Sequence, residues 1–418
     1  MGPWKSIMPP YLCQKAQLAL NDITEAIEND TKKCKDVTLI NGLSGYLIYK
    51  SYLCRFTNYS DKKEMEFILE RILNLIFTKK IDGTLMYGLS GIGFSINSTF
   101  NQAEDLQKNE LLVEIDKYVI QFIDKDIKKA NFDFFSGYLG SCLYLLRSQA
   151  INIKFKEIVV RKIVYALSAT AIENSNGIRW FSASNISHLY PNITDVNKIP
   201  KDSNLGLAHG VPSIISMLNF ICLQFPQYLE AKKLLDSAIK FMLSEMQKSE
   251  NSYYFKNFSG ISRDIYPSRL GWCYSDLGIS LMFLNLSKLL GDKSYNDLAV
   301  KIALNSIEIS FEKSMVRDGG LCHGAAGNAH MYNRLYQETG VLDFKEASLN
   351  WYNILFDKYY NHGMQKYSFL AYANASESNT KEYLPNLGFL NGLSGIGLSI
   401  IAGMSEIEPT WDRCLLLS

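Results

Sequence analysis

A surplus of charge is missing from this chain. Its 43 Lys and Arg stand against 42 Asp and Glu, leaving a formal charge of +1, and no long basic run occurs. That balance argues against nucleic acid as the main partner. The start, MGPWKSIMPP, lacks the apolar stretch of a signal peptide, so a reducing cytosol is expected. Its MGxxxS pattern formally matches a myristoylation signal, but Pro3 and the weak specificity of that pattern favour coincidence. An uninterrupted bilayer span is also missing. Asn386 to Met404 carries no charge and approaches the roughly 20 residues a span needs. Gly388, Gly392, Gly395 and Gly397 break it, and it reads as a buried helix. Neither a P-loop nor a kinase-like motif is present.

With 47% hydrophobic and 20% charged residues, the chain can bury a large core. Internal repetition organises it. The clear copies are NGLSGYL at Asn41, YGLSGIG at Tyr87 and NGLSGIG at Asn391. Weaker copies are SGYLGSC at Ser136, HGVPSII at His209, YSDLGIS at Tyr274 and HGAAGNA at His323. The markers Gly42, Gly88, Gly137, Gly210, Ser275, Gly324 and Gly392 are spaced by 46, 49, 73, 65, 49 and 68 residues. Each unit reads as a long amphipathic helix, a polar loop, the glycine motif and a shorter apolar helix. In the third unit Leu111, Ile115, Tyr118, Phe122 and Ile127 recur at helical spacing.

Seven helix pairs could stack as an open solenoid or close into a ring. The apolar second helices favour a ring, with a buried inner barrel inside an amphipathic outer one. The expectation is an all-α, single-domain α/α toroid over residues 1–418. The glycine loops would then converge at one end. Rim insertions are expected over 174–204 and 248–268, where aromatic and β-branched residues suggest short strands or irregular loops.

Among the eight cysteines, six (Cys13, Cys34, Cys54, Cys142, Cys222 and Cys414) lack metal-like spacing and read as apolar packing residues. Cys273 in GWCYSDLG and the pair Cys322-His323 in GLCHGAAG lie at equivalent places in two units. Two thiols and an imidazole suit tetrahedral Zn²⁺, and three ligands leave an open, catalytic position. His330 is a weaker ligand candidate, while His188 and His362 read as core or surface residues. His209, in GLAHG, reads as a general acid or base or as a helix-start residue. Asp133 is a candidate partner or a helix-capping aspartate. Arg269 could stabilise an anionic intermediate or pair with a surface carboxylate. Tyr274 could donate its hydroxyl or simply pack.

On GLAHG, WCY, CHG and the repeated GLSGIG, the chain resembles the LanC-type lanthionine synthetases (lanthipeptide cyclases) from about Asn41 to Met404. The resemblance implies the toroid fold of seven paired helices. It also implies Zn²⁺ held by Cys273, Cys322 and His323, with His209 as acid/base and Asp133, Arg269 and Tyr274 at the other active-site positions. The implied activity is Michael-type addition of precursor-peptide cysteine thiols to dehydroalanine or dehydrobutyrine, closing thioether rings in lantibiotic biosynthesis. Implied partners are a dehydrated precursor peptide, a separate dehydratase and an ABC transporter. At this length no fused dehydratase is expected. The implied location is the cytoplasm, free or loosely held on a membrane biosynthetic complex.

Two departures stand out. WCYSDLG has Ser275 and Asp276 where the family carries small glycines, and HGVPS replaces an HGLAG-like run. The first adds a charge next to the expected metal. The rival readings are a LanC-like scaffold binding glutathione or a peptide without catalysis, and a zinc prenyltransferase-like α/α barrel. The latter needs a basic diphosphate pocket, and no such basic cluster is evident.

Overall fold

The computed structural model describes residues 3–100, 106–181, 201–247, 253–260, 268–364, 367–374 and 380–418. Among the described residues are fourteen α-helices in alternating leading and trailing positions. The leading helices are α1 (Pro10–Thr31), α3 (Lys62–Ile76), α5 (Leu106–Ile127), α7 (Ile153–Thr170), α9 (Leu229–Glu245), α11 (Lys293–Ile307) and α13 (Leu342–Ile354). The trailing helices are α2 (Leu43–Thr57), α4 (Leu89–Thr99), α6 (Tyr138–Arg147), α8 (Val211–Gln224), α10 (Asp276–Leu290), α12 (Ala325–Thr339) and α14 (Leu393–Met404). Two short antiparallel hairpins, a π-helical turn at Leu355–Tyr359 and a 3-10 helix at Thr410–Leu415 are also described. The hairpins are β1 (Ile172–Asn174) with β2 (Gly177–Arg179), and β3 (Leu370–Asn374) with β4 (Lys381–Pro385).

Helix starts follow their capping chemistry. Asp61 accepts from the Glu64 N–H at 3.3 Å to open α3, and Asn152 accepts from Phe155 N–H at 3.0 Å to open α7. Pro10 occupies the first position of α1, where no N–H is needed. At the other end, α12 stops at Gly340, whose φ of 73° lies in the left-handed region.

Leading helices bury one face and trailing helices nearly all of theirs. On α3 only Ile68, Leu69 and Ile72 are buried, whereas every residue of α14 from Leu393 to Gly403 is. A fully buried Ile or Leu contributes about 1.5–3 kcal/mol relative to an exposed one, so the trailing helices dominate the core. On α5 the buried stripe is Leu112, Ile115, Val119 and Ile123, not the expected one running through Tyr118, which is 62% exposed. Both stripes have helical spacing. The aliphatic one turns inward, because the tyrosine keeps its hydroxyl in water.

Each of the seven marker residues is the N-cap of a trailing helix. Close approach explains the glycines. A Cβ on Gly210 would lie 2.0 Å from the Asn204 carbonyl oxygen, and one on Gly395 would lie 1.8 Å from that of Phe389. The loops share a frame not noticed in the sequence. Six residues before the marker stands Asp36, Asp82, Asn131, Asn204, Asp318 or Asn386. The carbonyl of each accepts the first N–H of the following helix, at 2.9–3.1 Å in all six loops. In four of them the side-chain oxygen also takes the N–H two residues on, at Thr38, Gly206, Gly320 and Gly388. In the fifth loop Arg269 holds that place, and Ser275 caps the Leu277 N–H with its own hydroxyl at 2.9 Å.

Contacts divide the chain into two compact units. The first comprises Met1–Asp82, Met86–Glu104 and Met315–Asp412. Within it α12, α14, α2 and α4 pack side by side in that order, and α1 lies against α14. The Trp4 indole donates to the Ala402 carbonyl at 2.8 Å, tying the N-terminal segment to α14. Buried Arg334 on α12 pairs with Asp412 at 2.8 Å and with Glu408 at 2.8 Å. The second unit comprises Gly83–Leu85, Asp105–Ser314 and Arg413–Ser418. There α8 packs against α6 on one side and α10 on the other.

Of the expected insertion at 174–204, the end of β1 and all of β2 are seen, while 182–200, including His188, lies outside the described residues. In the other insertion, 248–252 and 261–267 also lie outside them. The segment 253–260 is an irregular loop that meets Asn204 through an isolated antiparallel bridge at Phe258. Among the described residues no helix is long and apolar enough to cross a membrane.

Candidate functional site

His209 immediately precedes the N-cap of α8, so the loop presents its ring beside the helix start. Its Nδ1 lies 2.8 Å from Oδ2 of Asp133. Asp133 is 1% exposed, and its other oxygen accepts from the Ser136 N–H at 2.6 Å and the Ser136 hydroxyl at 3.0 Å. The aspartate is therefore the histidine's partner and the acceptor in the turn that leads into α6, not a helix cap, since the Gly137 N-cap has no side-chain cap bond. Burial pushes the His209 pKa down, but the hydrogen bond and charge of Asp133 outweigh it and the net shift is upward. With Nδ1 held by a carboxylate, proton exchange at this ring would run through Nε2.

Aromatic rings fix the imidazole from two sides. Phe135 lies 5.3 Å from it and Tyr274 stacks at 5.8 Å. The Tyr274 hydroxyl accepts from the Asn204 amide at 2.8 Å, and burial pushes its pKa up, so it stays protonated. Phe258 packs on the outer side of Tyr274 at 5.8 Å. Phe135, Asn204 and Phe258 were not singled out in the sequence. The Asp or Asn repeated six residues before six of the seven markers was the signal for Asn204.

Half-buried Arg269 donates from Nη2 to Sγ of Cys273 at 3.3 Å, placing a positive charge against that sulfur. The Cys273 loop is held from behind, where the Trp272 indole donates to the Leu415 carbonyl at 2.7 Å. Asp276 does not face the site as a free charge. It is fully buried, and its two oxygens accept the N–H groups of Tyr254 and Phe255 at 2.7 and 2.9 Å. Burial raises its carboxyl pKa to about 7, against the lowering effect of those two bonds. The departure at Ser275-Asp276 thus anchors the segment that carries Phe258.

Cys322 and His323 end the sixth loop, just before α12. The N–H groups of Leu321 and Cys322 both donate to the Leu390 carbonyl, at 2.8 and 3.0 Å. Asp318 is 1% exposed and supports the loop with both oxygens, one on the Gly320 N–H and one on the Tyr372 N–H of β3, each at 2.9 Å.

Cys273, Cys322 and His323 form a group able to hold one metal ion, each offering one ligand atom and all within 4.8 Å of one another. The two cysteines are 3% and 7% exposed. Nδ1 of His323 is buried with no hydrogen-bond partner among the described residues. A buried imidazole nitrogen left bare costs free energy unless something binds it. Two thiols and an imidazole suit a tetrahedral, thiophilic divalent ion. His330 is elsewhere, fully buried with Nε2 2.9 Å from Asp412, and burial lowers its pKa against the pull of that carboxylate. His362 is 64% exposed beside Asp22. Of the other cysteines, Cys142, Cys222 and Cys414 are buried and the remaining three half-buried, with no disulfide among them.

The family profile described as lanthionine synthetase C-like protein matches residues 33–416. The chain belongs to that family. It is 25% identical over 417 aligned residues to the nisin biosynthesis protein NisC of Lactococcus lactis subsp. lactis, covering 91% of this chain and 89% of that one. It is 27% identical to the glutathione S-transferase LANCL1 of Danio rerio over 33% of this chain and 32% of that protein. Among solved structures, nisin cyclase superposes with a TM-score of 0.73, covering 96% of each chain at 21% identity. The family's fold, the helical toroid of nisin cyclase, is therefore the fold of this chain.

Proposed function

We propose that the chain is a zinc-dependent cyclase that closes lanthionine and methyllanthionine rings in a dehydrated precursor peptide. The observation that carries this reading is the hydrogen-bonded Asp133–His209 pair, in a member of this family that also groups Cys273, Cys322 and His323. When bound, zinc would supply the positive charge that lets a substrate thiol ionise at neutral pH.

The protein residues account for the remaining chemistry. The sulfur lone pair of the substrate thiolate adds to Cβ of dehydroalanine or dehydrobutyrine. The double-bond electrons move toward Cα and the carbonyl as an enolate. His209, protonated and held by Asp133, delivers a proton from Nε2 to Cα. The proton lost by the thiol restores the imidazolium, so the reaction is an isomerisation of the peptide. Arg269 and the Tyr274 hydroxyl stand ready to stabilise the enolate oxygen. Dehydration requires a separate dehydratase, and export of the ringed product a transporter.

Incubation with a dehydrated precursor, alkylation of remaining thiols and mass analysis test this directly. Cyclisation leaves the peptide mass unchanged and removes alkylation sites; full alkylation after long incubation would refute it. His209→Ala should keep its metal yet fail to direct ring closure, and a wild-type ring yield in that variant would remove the histidine's role. The similarity of one third of the chain to a glutathione S-transferase supports a second reading, in which glutathione supplies the thiol. Adducts heavier by one glutathione, without ring closure, would favour it.

A further inference from the structure

We propose that Asn204 is a positioning residue that fixes the Tyr274 hydroxyl as a hydrogen-bond donor to the substrate, an inference that rests on the cyclase reading. Asn204 is 4% exposed, and neither end of its amide is left to choice. The Gly206 N–H donates to Oδ1 at 2.8 Å, and a backbone N–H can only donate. The other end must therefore be the NH₂, which donates to the Tyr274 oxygen at 2.8 Å. A phenol oxygen that accepts there keeps its own proton for another partner. Among the described residues the hydroxyl has no protein acceptor. The ring packs directly on the loop, where a Cβ on Gly206 would lie 2.5 Å from its Cδ1. Phe258 and His209 flank it at 5.8 Å each.

The repeat supplies an internal control. Asp36, Asp82 and Asp318 hold the same loop position as Asn204. Asp36 and Asp318 make the same turn bond with one oxygen. In the sixth loop the second oxygen of Asp318 accepts a backbone N–H, a job only an acceptor can do. In the fourth loop the second atom faces a tyrosine lone pair, and asparagine supplies the donor. Aspartate at 204 would thus preserve the turn but reverse the bond, drawing the Tyr274 proton toward itself and away from substrate.

The test is a double-mutant cycle with Asn204→Asp and Tyr274→Phe, using the zinc-loaded full chain and a dehydrated precursor. Asn204→Asp should lower kcat roughly 10²-fold, the size of losing one pre-aligned donor, with KM little changed. In the Tyr274→Phe background the same change should cost less than about twofold. An equal loss in both backgrounds would show that Asn204 acts on the loop rather than through the hydroxyl, and would overturn the proposal. A second readout needs no turnover. The tyrosine Raman doublet, isolated by subtracting the spectrum of the matching Tyr274→Phe protein, should report an accepting phenol in wild type and a donating one in Asn204→Asp. Unchanged spectra refute the proposal even if cyclisation is absent. Absent cyclisation in wild type with the expected spectral reversal refutes only the cyclase reading.

Discussion

Asp133→Asn isolates the electrostatic part of the site. Oδ1 is already committed to the Ser136 N–H and hydroxyl, so an asparagine must turn its NH₂ toward His209. Nδ1 must then accept, the proton moves to Nε2, and an imidazolium would face a donor with a donor. The lost interaction is a charge-assisted hydrogen bond at 2.8 Å to a carboxylate 1% exposed. Such bonds contribute about 1.5–3 kcal/mol. At 1.36 kcal/mol per tenfold, the imidazolium population and the ring-closure rate should fall about 10- to 10²-fold at neutral pH. The falling limb of the pH–rate profile should also move to lower pH, because Asp133 is what raises the His209 pKa. The stability effect has a definite sign. The folded pKa lies above the ordinary value of 6.5. The pair's contribution is therefore fully present below that value and fades as pH rises through the folded pKa. The urea-unfolding gap between wild type and variant should narrow from pH 6 to pH 9. A rate within twofold of wild type, with the limb unmoved, would refute the reasoning.

Gly395→Ala places a methyl 1.8 Å from the Phe389 carbonyl oxygen and 2.7 Å from Cδ1 of Leu321, which should cost about 3 kcal/mol in urea unfolding. A loss below about 0.5 kcal/mol would mean the loop has slack the structure does not show. Arg334→Met takes the guanidinium away from buried Asp412 and from Glu408, a loss of about 3–5 kcal/mol by the same measurement. Its ring-closure rate at a temperature where it stays folded should match wild type, since neither residue touches the site.

The helical class and the starts of the trailing helices were legible because glycine is demanded where a loop carbonyl passes within 2–2.5 Å of where a Cβ would sit. The two chemical features legible as motifs were the Cys/Cys/His set and His209, all lying within two residues of a marker, Gly210, Ser275 or Gly324. Asp133 was half legible, since capping and ion pairing look alike in one dimension. Asn204 was hidden because its backbone carbonyl serves the repeat while its side chain serves one loop. The α5 stripe was misread by about one residue, since two faces had the same period and only packing separates them. Asp276 looked like a charge added to the site, and only its bonds to Tyr254 and Phe255 reveal an anchor.

The central claim is best tested by metal content. Zinc per chain should be close to one in the wild-type protein. It should fall below about a tenth in Cys273→Ala, Cys322→Ala and His323→Ala, in step with lost ring closure and with helical content unchanged. Full zinc occupancy in Cys322→Ala, or ring closure by a metal-free chain, would contradict the account.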